Sequence, residues 1–347
     1  IDPDYAEAHN NLGNIFRELD ELNMAKNSYE IALAIKPNYA EAHFSLSIVL
    51  KDFGQLDLMI EHLKEVVAIN PDFAEAHHSI GVGLKELGLL DDAVKSYHRA
   101  LLLKPDFLEA HNNLGNAFKE LGQLDDAVNS YEQALNINLD YPSIHNNLGN
   151  AFKELGQLDN AVKSYESAIA INPDYSDAHN NLGVILYELD KFDEAVQSYE
   201  RALMIDPEYA EAHNNLGVSL NKLDQLEEAV NSYVKALAID PNYADSYNNL
   251  GVVLKKLGQF NDAIIAYESA LTINSDDANT YNNLGIVLAE IDRSDDAIQS
   301  YNKAVALDPG LAEAHNNLGT AFSKLNQYED AIKAYETAFA AKPDLDY

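Results

Sequence analysis

Proline recurs in this chain on a single 34-residue grid: Pro3, Pro37, Pro71, Pro105, Pro173, Pro207, Pro241, Pro309 and Pro343 fall on it, and only Pro142 does not. The two grid points without proline hold Leu139 and Ser275. Ten units fit without insertion or deletion, beginning at residues 6, 40, 74, 108, 142, 176, 210, 244, 278 and 312, with partial units at 1–5 and 346–347. A strict period of this length marks stacked supersecondary units that bury a core only against their neighbours. The length of 347 residues, which would otherwise suggest about two domains, therefore predicts one all-α solenoid over 1–347.

Each unit predicts two helices. In the first unit a helical face runs through His9, Leu12, Gly13 and Phe16, from Ala6 to about Leu19. It stops at a residue suited to a left-handed turn: Asp20, Gly54, Gly88, Gly122, Gly156, Asp190, Asp224, Gly258, Asp292 or Asn326. A second helix opens on acids such as Asp91–Asp92, Asp125–Asp126, Glu227–Glu228 and Asp295–Asp296, which complement the helix dipole. It then carries a small residue, an aromatic four residues on and an alanine three beyond that, as in Ala25, Tyr29 and Ala32. Small against large at facing positions lets paired helices interdigitate. The grid proline ends the unit, and the Asp or Asn that usually follows it is a candidate N-cap for the next helix.

These residues resemble the tetratricopeptide repeat family. A single unit reads AEAHNNLGNIFRELDELNMAKNSYEIALAIKP, with the family's Leu-Gly pair, alanine, aromatic, second alanine and closing proline at the family's spacing. The resemblance implies helix-turn-helix pairs wound into a right-handed superhelix, whose concave side is lined by the first helix of each pair. The second unit departs most, with Ser47 for the glycine, Met59 and Val66 for the alanines and Leu63 for the tyrosine. That unit is expected to be looser or differently angled.

Numbering each unit from its first residue, positions 4, 7, 8 and 11 of the first helix form the packing side, and positions 2, 6, 9 and 13 the candidate binding surface. Position 6 holds Asn11, Asn113, Asn147, Asn181, Asn215, Asn249, Asn283 and Asn317, with Ser45 and Ser79 breaking the row. Position 5, at the shoulder, repeats the amide in Asn10, Asn112, Asn146, Asn180, Asn214, Asn248, Asn282 and Asn316. Asparagine is a mediocre helix former, so something should compensate its cost. One reading is peptide binding: each side-chain amide offers the donor and acceptor that match a polypeptide backbone. The row is similar to the asparagine ladder in the repeats of O-linked N-acetylglucosamine transferases and to that of armadillo-type import receptors. A second reading is hydrogen bonding between neighbouring repeats. A third is recent duplication, since residues 111–138 and 145–172 agree at 23 of 28 positions.

Other features weigh against other chemistries. The chain carries 23 Lys+Arg against 57 Asp+Glu, a net charge of −34, which argues against nucleic acid and anionic membranes as partners. No apolar run approaches the ~20 residues of a membrane span. Cysteine is absent, removing thiolate ligands and a cysteine nucleophile. Eight histidines share position 4 (His9, His43, His77, His111, His145, His179, His213, His315). Spaced one helix pair, about 10 Å, apart they cannot share a metal, and they read as packing or hydrogen-bonding residues. No phosphate loop, zinc helix or nucleophile elbow occurs, so no catalytic, cofactor or metal site is expected. The paired lysines with which some family members hold a C-terminal carboxylate are also missing. At position 12, Arg17, Lys51, Lys85, Lys119 and Lys153 are each followed by an acid, so no continuous basic stripe is expected.

The sequence thus predicts a non-catalytic scaffold for an extended polypeptide or another protein, as the repeat part of a longer protein. The alternative is a structural protein whose copies stack head to tail into a filament, since the chain opens and closes in phase with the repeat.

Overall fold

The computed structural model describes residues 5–341; the grid prolines Pro3 and Pro343 and the partial units' residues 1–4 and 346–347 lie outside them. The helices form two compact units, Ile1–Pro173 and Asp174–Tyr347. Unit 1 contains α1 (Ala6–Glu18), α2 (Leu22–Ile35), α3 (Ala40–Asp52), α4 (Leu56–Ile69), α5 (Ala74–Glu86), α6 (Leu90–Leu103), α7 (Leu108–Glu120), α8 (Leu124–Ile137), α9 (Pro142–Glu154) and α10 (Leu158–Ile171). Unit 2 contains α11 (Ser176–Glu188), α12 (Phe192–Ile205), α13 (Ala210–Lys222), α14 (Leu226–Ile239), α15 (Ala244–Lys256), α16 (Phe260–Ile273), α17 (Ala278–Glu290), α18 (Ser294–Leu307), α19 (Ala312–Lys324) and α20 (Tyr328–Ala341). Each unit is an α-solenoid of five helix pairs.

The pairs close on one contact. Except in α3, the position-8 glycine of each odd helix packs directly against the tyrosine ring of the even helix that follows. A Cβ added at Gly13, Gly149 or Gly217 would stand 2.5, 2.6 or 2.7 Å from Tyr29, Tyr165 or Tyr233. Alanines flank the ring: Ala25, Tyr29 and Ala32 are fully buried, as are Ala229, Tyr233 and Ala236. The second repeat conserves volume by exchange. Ser47 replaces the glycine, Leu63 replaces the ring, both are buried, and the Ser47 hydroxyl donates to the Phe44 carbonyl at 2.6 Å.

The turn between paired helices is the left-handed one the sequence suggests. Gly54, Gly88, Gly122, Gly156 and Gly258 have φ of 68–75°, and Asp20, Asp190, Asp224, Asp292 and Asn326 have φ of 57–60°. The off-grid Pro142 occupies the first turn of α9, where its missing N–H costs nothing.

The N-cap expectation is corrected. The residue after the grid proline lies too early, and an aromatic stands at the cap: Tyr39, Phe73, Phe107, Tyr175, Tyr209 or Tyr243, none with a side-chain cap bond. Packing outweighs capping here, since Phe73 and Phe107 lie 4.9 and 4.8 Å from Phe44 and His78 of the preceding repeat. Asp277 does cap, accepting from the Asn279 and Thr280 amides. The Asx side chains act instead one residue before the grid position, where Asp206 and Asp240 accept from the Glu208 and Asn242 amides.

Position 9 governs the buried tyrosine hydroxyl. Tyr29, Tyr131 and Tyr165 donate to Asn14, Asn116 and Asn150 at 2.8, 2.7 and 2.7 Å. Where position 9 is Val82, Val218 or Val252, the buried hydroxyls of Tyr97, Tyr233 and Tyr267 have no partner among the described residues. A buried hydroxyl without a partner costs about 1–3 kcal/mol. Val218→Asn is therefore expected to stabilise α13 and α14 by roughly 1 kcal/mol, read as slower amide hydrogen exchange in those helices; faster exchange would contradict the assignment.

Candidate functional site

The two asparagine rows divide their work. Most of position 5 is not a shoulder facing a ligand, as the helical-wheel placement suggested: Asn10, Asn146, Asn180, Asn214 and Asn282 are buried at 1–6% exposure, and Asn112, Asn248 and Asn316 are half-buried. The physical reason is the close approach of successive odd helices, which places position 5 of one repeat under position 6 of the next. Position 6 is half-buried at Asn113, Asn147, Asn181, Asn215, Asn249, Asn283 and Asn317, and Asn11 is exposed.

The rows join in a ladder between repeats. In unit 1, Asn147 Nδ2 donates to Asn112 Oδ1 at 3.3 Å. In unit 2, Asn215, Asn249, Asn283 and Asn317 donate to Asn180, Asn214, Asn248 and Asn282 at 3.2, 3.2, 3.2 and 2.9 Å. The reading of the row as hydrogen bonding between repeats is thus seen directly. It also explains the compensation for asparagine's poor helix propensity, at about 0.5–1.5 kcal/mol per bond.

One bond does not exhaust a position-6 amide. It uses one of two N–H groups, and leaves the carbonyl and the second N–H. The Oδ1 atoms of Asn147, Asn249, Asn283 and Asn317 accept no hydrogen bond among the described residues. Position 9, placed on the same face, is partly spent on the tyrosine hydroxyls described above.

The ladder changes character in repeats two and three. Phe44 and His78 stand at position 5, and Ser45 and Ser79 at position 6. His78 substitutes for the amide by accepting from Asn113 Nδ2 at 2.9 Å through Nε2, which requires a neutral ring. Burial between Tyr97 and Phe107 holds its pKa below the ordinary value, opposed by Glu109 and Glu75 and assisted by Lys51. Sequence reasoning missed this residue, because His78 belongs to neither the histidine row of position 4 nor the asparagine row of position 6.

The position-4 histidines are turn holders. His77, His111, His213 and His315 bond through Nε2 to the carbonyls of Pro71, Pro105, Pro207 and Pro309 at 2.9–3.1 Å. Each ties the start of an odd helix to the proline turn before it. At position 12, Lys51, Lys85 and Lys119 reach the acid of the next repeat, Glu86, Glu120 and Glu154, at 3.4, 2.7 and 3.9 Å. The expected lack of a basic stripe in unit 1 has this pairing as its physical form.

The depressed His78 pKa makes the ladder pH-dependent. A folded-state value below the unfolded value near 6.5 gives a contribution that is complete above about 6.5 and lost as pH falls through it. His78→Asn supplies an amide that does not titrate. Thermal unfolding between pH 7.5 and 5.5 is expected to show a smaller loss of stability in this variant than in the parent; an equal loss would contradict the assignment.

Comparisons with known proteins agree with this geometry. A sequence profile described as TPR repeat matches residues 83–122, 115–156, 149–190, 185–224, 219–258 and 293–326. Profiles described as tetratricopeptide repeat match 6–39, 244–277, 266–299 and 312–345. The stretch 40–82, which includes the Ser47 and Leu63 exchange, matches none of these. No curated protein matches the chain. Among solved structures, the chain is similar to YrrB, described as a TPR protein with an unusual peptide-binding site, at 26% identity over 53% of this chain and 95% of that one, with a TM-score of 0.46. It is also similar to MamA, at 26% identity over 47% and 95% with a TM-score of 0.45. It shares the fold of Pseudomonas aeruginosa pilF, at 22% identity over 60% and 94% with a TM-score of 0.54. The profile matches, the glycine–tyrosine pairs and the twenty paired helices among the described residues together place this chain in the tetratricopeptide repeat family.

Proposed function

We propose that this chain is a non-catalytic scaffold that holds an extended polypeptide along the amide ladder of its odd helices, with Asn11, Asn113, Asn147, Asn181, Asn215, Asn249, Asn283 and Asn317 meeting the ligand's main chain. The observation that carries the reading is the unspent half of the position-6 amides at Asn147, Asn249, Asn283 and Asn317. The position-5 residue fixes the amide from below, so a carbonyl and an N–H are oriented before the ligand arrives. Oriented donors and acceptors lower the entropy lost on binding. Hydrogen bonds to a main chain read no side chains, so affinity extends over many sequences and grows with the number of repeats engaged. Protein partners are what a repeat of this family implies in general; main-chain capture is the specific form proposed.

The test separates the two amide rows. Alanine at Asn215, Asn249 and Asn283 removes the ligand-facing groups; alanine at Asn180, Asn214 and Asn248 removes only the acceptors beneath them. Both sets lose ladder bonds and some stability. Fluorescence anisotropy with unstructured, uncharged peptides is expected to show a loss of tenfold or more for the first set and a smaller loss for the second. Equal affinities in the parent and the position-6 variant would overturn the reading.

A further inference from the structure

The lysines at the ends of the odd helices are arranged differently in the two units. In unit 1 those of α3, α5 and α7 are neutralised internally, by the Lys51–Glu86, Lys85–Glu120 and Lys119–Glu154 pairs. In unit 2 the lysine moves one residue along, to the final residue of α13, α15 and α19: Lys222, Lys256 and Lys324. The residue facing it one repeat back is then neutral. Lys256 Nζ donates to Asn221 Oδ1 at 2.7 Å, and Tyr187 and Ala289 hold the places equivalent to Asn221. Lys255 stands beside Lys256 at the end of α15. The ion pairs of unit 2 among the described residues are Arg201–Asp174, Arg293–Asp296 and Lys333–Asp330, and none engages Lys222, Lys255 or Lys256.

A lysine in the last turn of a helix needs no ligand to explain it, since the helix dipole favours it there. The unit 1 lysines satisfy the same preference, yet each has an acid one repeat ahead. What distinguishes α13 and α15 in a chain of net charge −34 is that Lys222 and Lys256 face the neutral Tyr187 and Asn221 instead of an acid, and that Lys255, although Glu290 follows one repeat ahead, makes no ion pair among the described residues. The acids of the same helices sit at the opposite end: Glu211 and Asp245 lie in the first turns of α13 and α15, about 16 Å along the helix axis from the lysines. Charge is therefore separated across the ladder face, with an acidic rim at the helix starts and a cationic rim at the ends of α13 and α15. The amides of Asn215 and Asn249 run between the rims.

We propose that the α13–α15 rim of unit 2 binds the acidic segment of an extended polypeptide, with Lys222, Lys255 and Lys256 receiving its carboxylates. The inference rests on the reading of the ladder as a polypeptide-binding face, and adds to it a preference for ligand charge at one place. Ionic strength makes such a local preference possible. At physiological salt the screening length is about 8 Å, so the chain's remaining acids act weakly on a ligand seated beside the lysines.

The test uses the full chain and two fluorescent probes: a glycine-serine peptide with a central run of glutamates, and the same peptide with glutamines. Near physiological salt the glutamate probe is expected to bind at least fivefold tighter, and Lys222→Gln, Lys255→Gln and Lys256→Gln together should abolish the difference while leaving the glutamine probe's affinity unchanged. The three side chains are exposed or half-buried, so helicity should be retained, and circular dichroism checks it. Equal binding of both probes by the parent would overturn the acidic preference and leave main-chain capture standing. No binding of either probe would overturn both. A preference that survives the triple substitution would place the acidic site elsewhere and overturn this assignment.

Discussion

The repeat depends on a glycine lying against the face of a tyrosine. No side chain larger than hydrogen fits between the odd helix and the ring: at Gly217 an added Cβ would come within 2.7 Å of Tyr233. The ring fills the space that this close approach leaves, and the flanking alanines, Ala229 and Ala236 in that repeat, let the even helix come equally close. Once each pair is fixed, stacking continues from one pair to the next. In unit 2 the result is a single apolar cluster running from Leu186 to Ala334.

The ladder is a consequence of that geometry. Successive odd helices held at a constant offset bring position 5 of one repeat beneath position 6 of the next, so identical residues meet identical partners. Asparagine suits such a repeat because its side chain both donates and accepts. Position 5 supplies an acceptor and position 6 a donor. Structure and binding are not competing explanations of the asparagines here, since one amide hydrogen serves the first and leaves groups available for the second. His78 shows how far the rung tolerates change: an imidazole accepts from Asn113 as an amide would, at the cost of sensitivity to acid.

Much of the fold was legible because it is periodic. The proline grid, the left-handed residues such as Asp224 and Gly258, and the alanine–tyrosine–alanine spacing each recur often enough to exclude coincidence. The N-caps were misplaced because local preference suggested an Asx side chain, whereas Phe73 and Phe107 are held at the cap by contacts with Phe44 and His78 of the preceding repeat. The burial of position 5 was missed for a related reason. A helical wheel describes one helix, and Asn180 and Asn214 are covered by the next repeat. The charge pattern was legible as residues but not as pairs: that Lys85 meets Glu120, while Lys222 faces Tyr187 and makes no ion pair among the described residues, follows from the stacking offset. The candidate site was visible as a row of amides, and the division of labour within the row was not.

Since the glycine–tyrosine contact is the constraint on which the rest stands, its coupling is the most direct test. The second repeat already contains the exchanged pair, Ser47 with Leu63, packed and buried. Transferring that pair to the seventh repeat gives Gly217→Ser, Tyr233→Leu and the double variant, compared by amide hydrogen exchange in α13 and α14. Serine alone should clash with the ring and leucine alone should leave a cavity, each loosening the pair. In the double variant the two changes should offset, with a coupling of at least about 1 kcal/mol. Strictly additive effects would show that glycine and tyrosine do not depend on each other, and would contradict the account at its base.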